Sequence, residues 1–189
     1  MSALVWGAVL SLPASALLSI ALQRRYRCSF ATHAAFFVLG VYLTLLFCSS
    51  WTMPSNPTPI THIRLLDFAL PPDAPQIVLN LVLFLPFSLL TSLLFPQHRR
   101  LLTQLILVLS LSLLLEAGQI LLQQKTSLYD PLLHLSGGCF GCGIAHALHR
   151  NLPKKCAVLE VRTSQYLLLT YVLSALALYC ILTAFRLNG

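Results

Sequence analysis

The stretch LLTQLILVLSLSLLLEAGQILLQ, residues 101–123, decides the fold class. It holds one ionisable side chain, Glu116, in a length that crosses the hydrocarbon core of a bilayer as a helix. The whole chain has the same character: of 189 residues, 57% are hydrophobic and 9% are charged, with a mean hydropathy of +0.81. Soluble domains carry about 25% charged residues. This composition excludes a soluble globular domain, a disordered chain and a nucleic-acid binder.

Five further apolar segments flank this stretch, at residues 3–22, 30–51, 76–95, 131–150 and 166–185. The longest connector, residues 52–74, holds five of the 11 prolines, which disfavours a regular helix throughout. Within it, residues 62–70 are expected to form a short amphipathic turn at the membrane surface. The sequence therefore predicts an all-α, polytopic helical membrane protein with about six transmembrane helices in one bundle.

The basic residues orient this bundle. One set of loops holds nine of the 12 Lys and Arg side chains, namely Arg24, Arg25, Arg27, Arg99, Arg100, Arg150, Lys154, Lys155 and Arg162. The other set holds Arg64, Lys125 and Arg186. Because basic loops stay in the cytoplasm, the first set is predicted inside and both termini outside. The first segment is expected to be a retained anchor, since no basic residue precedes it and the basic run QRRYR at 23–27 follows it.

Glu116 is the one carboxyl group well inside a predicted span. Ser112, Gln119 and Gln123 share its helical stripe. At 1.5 Å per residue, Glu116 lies about 22 Å along a helix that runs outward from Leu101. A polar stripe that opens toward the outer leaflet is therefore expected.

Other polar groups are predicted at the same depth. Asn80 lies one turn into the third span, Asp130 begins the fifth, and His134 follows one turn later on the same face. Arg64 lies in the outer loop above them. Intramembrane ionisable groups mark functional sites by default, so we expect these groups and Glu116 to line one cavity. The alternative is that they only hold helices together, as polar side chains do in membranes.

Two patterns in the fifth span are explained by structure rather than chemistry. Gly137 and Gly141 have the small-residue spacing that brings helices close together, and we interpret them as packing residues. Four side chains of the kinds that bind metals, Cys139, Cys142, His146 and His149, extend over about 15 Å of helix, too far to surround one zinc ion. At most a pair such as Cys142 and His146 could join ligands from elsewhere in the chain. No metal and no cofactor is predicted, and the six scattered cysteines do not form a secreted disulfide framework.

Three blocks of sequence occur in a specific order: NLVLFLPF at 80–87, SLLLEAGQ at 112–119 and SLYDPLLHLSGGCFG at 127–141. They are similar to the N-x-x-x-F-x-P block, the S-x-x-x-E-x-x-Q block and the Asp-led, small-residue helix of the VanZ-like family of bacterial membrane proteins. The resemblance covers residues 52–150. Three departures are Phe87 in place of Gly, Gln124 or Lys125 in place of Arg, and His134 in place of Asn.

The apolar segments and this resemblance together give an organisation and a location. The segments predict two N-terminal transmembrane helices in residues 1–51, and a cytoplasmic loop and a C-terminal transmembrane helix in 151–189. The resemblance implies that residues 52–150 form a VanZ-like domain with an outer loop and three transmembrane helices. The family implies the bacterial cytoplasmic (inner) membrane and a role in the cell envelope. Its name-giving member is an accessory factor for resistance to teicoplanin-type glycopeptide antibiotics.

The leading functional hypothesis is a protein that binds or processes an envelope lipid or lipid-linked precursor near the outer leaflet. The substrate-binding residues expected for it are Glu116, Gln119, Asp130, His134, Asn80 and Arg64. The alternative is a non-enzymatic scaffold or accessory subunit whose partner is an envelope protein. A small channel is disfavoured, because the polar stripe fades over residues 101–111. Familiar catalytic motifs are absent from the sequence, so whether a reaction occurs stays open.

Overall fold

The computed structural model describes residues 16–17, 20, 29–50, 74–121, 129–161, 172–173 and 176–177. The ordered elements in these ranges are α1 (Phe30–Ser50), α2 (Ala74–Leu94), a 3-10 turn (Pro96–Arg99), α3 (Leu101–Leu121), α4 (Tyr129–Asn151) and the short α5 (Pro153–Ala157). No strand occurs among the described residues. The all-α prediction is confirmed, and the four long helices begin and end within about two residues of the predicted spans.

Three of these helices are long and apolar enough to cross a membrane. They are α1, α2 and residues Leu101–Ile120 of α3. Helix α4 has 23 residues, but its Asp, His and Gly residues make it less apolar, and it is not one of the three candidates. The predicted spans at 3–22 and 166–185 lie almost entirely outside the described residues, so the count of six stays a prediction.

The chain divides into two compact units, Met1–Ser49 with Leu152–Gly189, and Ser50–Asn151. In the first unit, Ser29 caps the N-terminus of α1 by accepting a hydrogen bond from the Thr32 backbone N–H at 3.1 Å. The hydroxyls of Ser29 and Thr32 both donate to the carbonyl oxygen of Val158, at 3.1 and 2.8 Å. These bonds join the start of α1 to the residue that follows α5.

In the second unit, α2 and α4 run parallel with a fixed register. Three contacts share a sequence separation of 50 residues: Asn80 with Asp130, Phe84 with His134, and Ser88 with Gly138. Each contact lies four residues beyond the previous one on both helices, which is the spacing of one helical face. One face of α2 therefore contacts one face of α4 over at least two turns.

Helix α3 runs antiparallel to this pair. Ser112 contacts His134, and four residues earlier Val108 contacts Gly138. Four residues after Ser112, Glu116 interacts electrostatically with Asp130.

The three helices thus stack side chains in levels about 6 Å apart. We call them the first level (Asn80, Glu116, Asp130), the second level (Phe84, Ser112, His134) and the third level (Ser88, Val108, Gly138).

Glycines allow this close approach. A Cβ atom on Gly137 would overlap the carbonyl oxygen of Leu81, and one on Gly141 would overlap that of Leu85. A Cβ on Gly138 would lie 2.8 Å from a methyl group of Val108. The backbone of α4 therefore lies directly against α2, which confirms the predicted packing role of Gly137 and Gly141.

Candidate functional site

Asp130 and Asn80 form the first level between α4 and α2. Asp130 lies in the first turn of α4, where the helix N-terminus favours a carboxylate, and is 8% exposed. The Asn80 amide Nδ2 donates a hydrogen bond of 2.6 Å to Asp130 Oδ1. This short bond to a carboxylate fixes both side chains and joins the two helices at the start of α4.

Glu116 enters the same level from α3. Its carboxyl interacts electrostatically with that of Asp130. The side chain is partly buried, and its Oε1 atom is shielded from solvent without a hydrogen-bond partner among the described residues. Native proteins pair nearly all of their buried polar atoms, so this carboxyl oxygen, like the similarly unpaired Oε1 of Gln104, calls for an explanation.

His134 forms the second level with Ser112 and Phe84. The imidazole is 5% exposed, and its Nδ1 lies 2.8 Å from Ser112 Oγ on α3. The ring stacks on Phe84 of α2, with ring centroids 4.3 Å apart and an interplanar angle of 32°. Contacts with two different helices therefore fix the orientation of the imidazole.

The structure brings together four of the six predicted site residues, Asn80, Glu116, Asp130 and His134, in two adjacent levels. Gln119 is partly buried and donates to the Ser50 carbonyl oxygen at 3.4 Å, a long hydrogen bond. The Gln119 amide is therefore directed to Ser50, at the start of this unit, rather than to His134 or Asp130. Arg64 lies outside the described residues.

A second buried polar cluster lies at the end of the bundle next to the 3-10 turn. Gln104 is 0% exposed, and its Nε2 donates to Thr91 Oγ1 at 2.9 Å. Thr91 Oγ1 in turn donates to the Phe87 carbonyl oxygen at 2.8 Å, and Ser92 Oγ donates to that of His98 at 3.1 Å. Gln104 therefore adds a buried polar group to α3 within residues 101–111, where the sequence predicts that the polar stripe fades. The four-residue spacing from Glu116 through Ser112 and Val108 to Gln104 is the sequence signal that points to this cluster.

His98 in this turn is a buried, neutral imidazole. Burial lowers the pKa of His98, and a hydrogen bond to the Thr103 backbone opposes that shift. The ring therefore adds hydrogen-bonding capacity to the turn at neutral pH without adding charge.

The metal-ligand types of α4 are spread over the helix. Cys139 is exposed and Cys142 is buried, with its thiol 3.9 Å from the Arg99 carbonyl oxygen. Among the residues that the structure describes, no group of three or more His, Cys, Asp or Glu side chains is arranged to hold a metal ion. The first two levels present carboxyl, amide, imidazole and hydroxyl groups.

Comparison with known proteins gives one match. The family model described as VanZ/LLP1 matches residues 49–149, which is more than half of the chain and includes α2, α3 and most of α4. No curated protein and no solved structure matches the chain significantly. The resemblance expected from the three sequence blocks is confirmed. Together with the apolar helices, this match indicates a membrane protein, and the chain belongs to the VanZ/LLP1 family.

Proposed function

We propose that the first and second levels bind the polar head group of an envelope lipid or lipid-linked precursor near the outer leaflet of the bacterial cytoplasmic membrane. The observation that carries this proposal is the buried Oε1 atom of Glu116, which has no partner among the described residues. A buried polar atom without a hydrogen bond costs about 1–3 kcal/mol. In a binding site, the empty state carries this cost, and a bound ligand removes it by supplying the missing hydrogen bond.

The other side chains of the first and second levels surround the Glu116 carboxyl group and are themselves fixed by contacts. Asn80 fixes Asp130, while Ser112 and Phe84 fix His134, so the surroundings of Glu116 are arranged before a ligand enters. Preorganisation of this kind lowers the entropic cost of binding. Arg64 would contact the phosphate of a bound head group, and Gln119 would join Glu116 in hydrogen bonding to the head group.

Binding is better supported than processing. A catalytic pair would need Asp130 to orient His134 as a base. In the structure, Nδ1 of His134 contacts Ser112 on α3, and Oδ1 of Asp130 accepts a hydrogen bond from Asn80 on α2. These bonds suit a rigid recognition site.

The orientation of the site follows from charge. Nine of the 12 basic residues occur in the segments that the positive-inside rule assigns to the cytoplasm, which supports an orientation with the first level toward the outer leaflet and both termini outside. A site there faces the lipids and lipid-linked precursors of the cell envelope, which is also the region that glycopeptide antibiotics reach. The proposal therefore includes a role in resistance to these antibiotics.

A scaffold or accessory subunit is the second candidate function, with another envelope protein as its partner. It is favoured by the bonds Asn80–Asp130 and Ser112–His134, which join helices and are sufficient for a purely structural role. On this hypothesis, Glu116 has no ligand, and its replacement by Gln does not change which lipids are extracted together with the protein.

Native mass spectrometry of the full chain, extracted from its own membrane, tests the binding proposal. We expect the wild type to retain a specific lipid or lipid-linked phosphate and Glu116→Gln to retain it at least tenfold less, since about 1.4 kcal/mol of lost affinity gives a factor of ten. Ser110→Ala is the matched control on the same helix, because Ser110 is exposed and donates a hydrogen bond to the Ile106 carbonyl oxygen of its own helix. Equal lipid occupancy in all three proteins contradicts binding at Glu116.

A further inference from the structure

We infer that the corner where α2, the 3-10 turn and α3 meet binds a hydroxyl group, held by the side chains of Gln104, His98 and Gln97. The corner lies at the opposite end of the second unit from the first level, so it is a separate site and is independent of the proposed function. Two sources supply an O–H group of this kind: water, and the alcohol of a lipid head group.

Three polar atoms of the corner are buried without a hydrogen-bond partner among the described residues. They are Oε1 of Gln104, Nδ1 of His98 and Nε2 of Gln97. Gln104 is 0% exposed and His98 is 9% exposed, so neither side chain reaches bulk water. Native proteins leave few buried polar atoms unpaired, and buried waters typically bond the polar groups that the protein itself leaves without partners. Three such atoms in one corner therefore indicate a bound group.

Contacts with two helices hold Gln104 and His98 at the same place. Gln104 Nε2 donates to Thr91 Oγ1 at 2.9 Å, and Oγ of the next residue, Ser92, donates to the His98 carbonyl oxygen at 3.1 Å. The side chain of His98 makes a hydrogen bond to the backbone of Thr103, the residue before Gln104. His98 is thus bonded to the neighbours of both Thr91 and Gln104, which brings the two unpaired side chains into one corner.

The hydrogen-bonding capacity of the three atoms selects the ligand. Gln97 Nε2 only donates and Gln104 Oε1 only accepts, while Nδ1 of a neutral His98 does either, according to the tautomer. An ammonium has no lone pair for Gln97, and a phosphate dianion or a carboxylate has no hydrogen for Gln104. A hydroxyl satisfies both, because its oxygen accepts from Gln97 while its hydrogen is donated to Gln104. Water has a second hydrogen and fits all three atoms.

Solid-state NMR of the full chain, with isotopically labelled histidine and in phosphatidylcholine vesicles, tests this inference. Phosphatidylcholine carries no hydroxyl group, so magnetisation that passes from water protons to His98 Nδ1 in these vesicles identifies bound water. We expect this transfer, since Gln104 is fully buried and water fits all three atoms. Gln104→Leu removes the acceptor and should lose the transfer, while Ser110→Ala, at an exposed position of the same helix, should keep it.

A second sample, with phosphatidylglycerol added to the vesicles, separates the two sources. Transfer from water in both samples supports the inference and makes water the ligand. Transfer that occurs only with phosphatidylglycerol, from its glycerol protons, also supports it and makes a lipid alcohol the ligand. No transfer to His98 Nδ1 in either sample, or equal transfer in Gln104→Leu, overturns the inference. Gln97→Met, a change at a partly buried side chain, is the second variant, for use if Gln104→Leu does not fold.

Discussion

Gly137→Ala is expected to destabilise the folded protein by about 3 kcal/mol, the upper end of the usual cost of overpacking a well-packed interior. The new Cβ atom would overlap the carbonyl oxygen of Leu81, which is backbone and cannot turn away like a side chain. To make room, α4 must move away from α2. Reversible unfolding in mixed micelles, followed by far-ultraviolet circular dichroism, measures the loss.

Gly143→Ala is the matched control for this variant, because it makes the same change six residues further along α4. A Cβ at Gly143 meets nothing within 4 Å. Since alanine favours a helix over glycine by about 1 kcal/mol, this variant should be as stable as the wild type or slightly more so. Equal stability of Gly137→Ala and Gly143→Ala would show that α2 and α4 do not meet in this register.

The second large effect is expected at the bond between Asn80 and Asp130. A double-mutant cycle with Asn80→Ala, Asp130→Ala and the double variant should give a coupling free energy of about 1–2 kcal/mol. The bond is 2.6 Å long and partly buried, and each single change leaves its partner without the bond. The readout is the free energy of unfolding in the same micelles.

A control cycle uses Ser110→Ala and Ser136→Ala, two exposed side chains that each bond a carbonyl of their own helix. Its coupling should be near zero, because independent sites contribute additively. If the Asn80–Asp130 cycle gives the same value as the control, these side chains do not join α2 to α4 and the first level is not assembled as described.

The sequence predicts which helical face is polar but not which faces meet. Four-residue spacing alone places Asp130 with His134, and Ser112 with Glu116, on common helical faces. It does not determine that α2 and α4 pair at a separation of 50 residues, because that register depends on where glycines allow the two backbones to touch. The contact between Ser112 and His134 follows from this packing and is not visible in the spacing of either helix alone.

The hydrogen-bond partners of Gln104 and Gln119 could not be predicted from the residue spacing within a single helix. Gln104 lies in an apolar run, and hydropathy alone makes it an isolated polar residue, yet it is fully buried against Thr91 of the neighbouring helix. Gln119 shares the stripe of Glu116, but its amide donates to Ser50. In both cases the position of a neighbouring chain segment decides the partner of a long, flexible side chain.

The measurement that tests the central claim most directly is the free energy of unfolding of ligand-free Glu116→Gln beside the ligand-free wild type. A binding residue held ready for its ligand is not optimised for stability, and Glu116 Oε1 has no partner among the described residues that the substitution would remove. The substitution also removes the electrostatic interaction of this carboxyl group with Asp130. We predict that the variant is as stable as the wild type, or more stable by up to about 1 kcal/mol. A hydrogen bond in a native protein usually contributes about 1 kcal/mol to stability. A larger loss of stability in the variant would mean that Glu116 stabilises the packing of the helices, and would contradict its role as a ligand-binding residue.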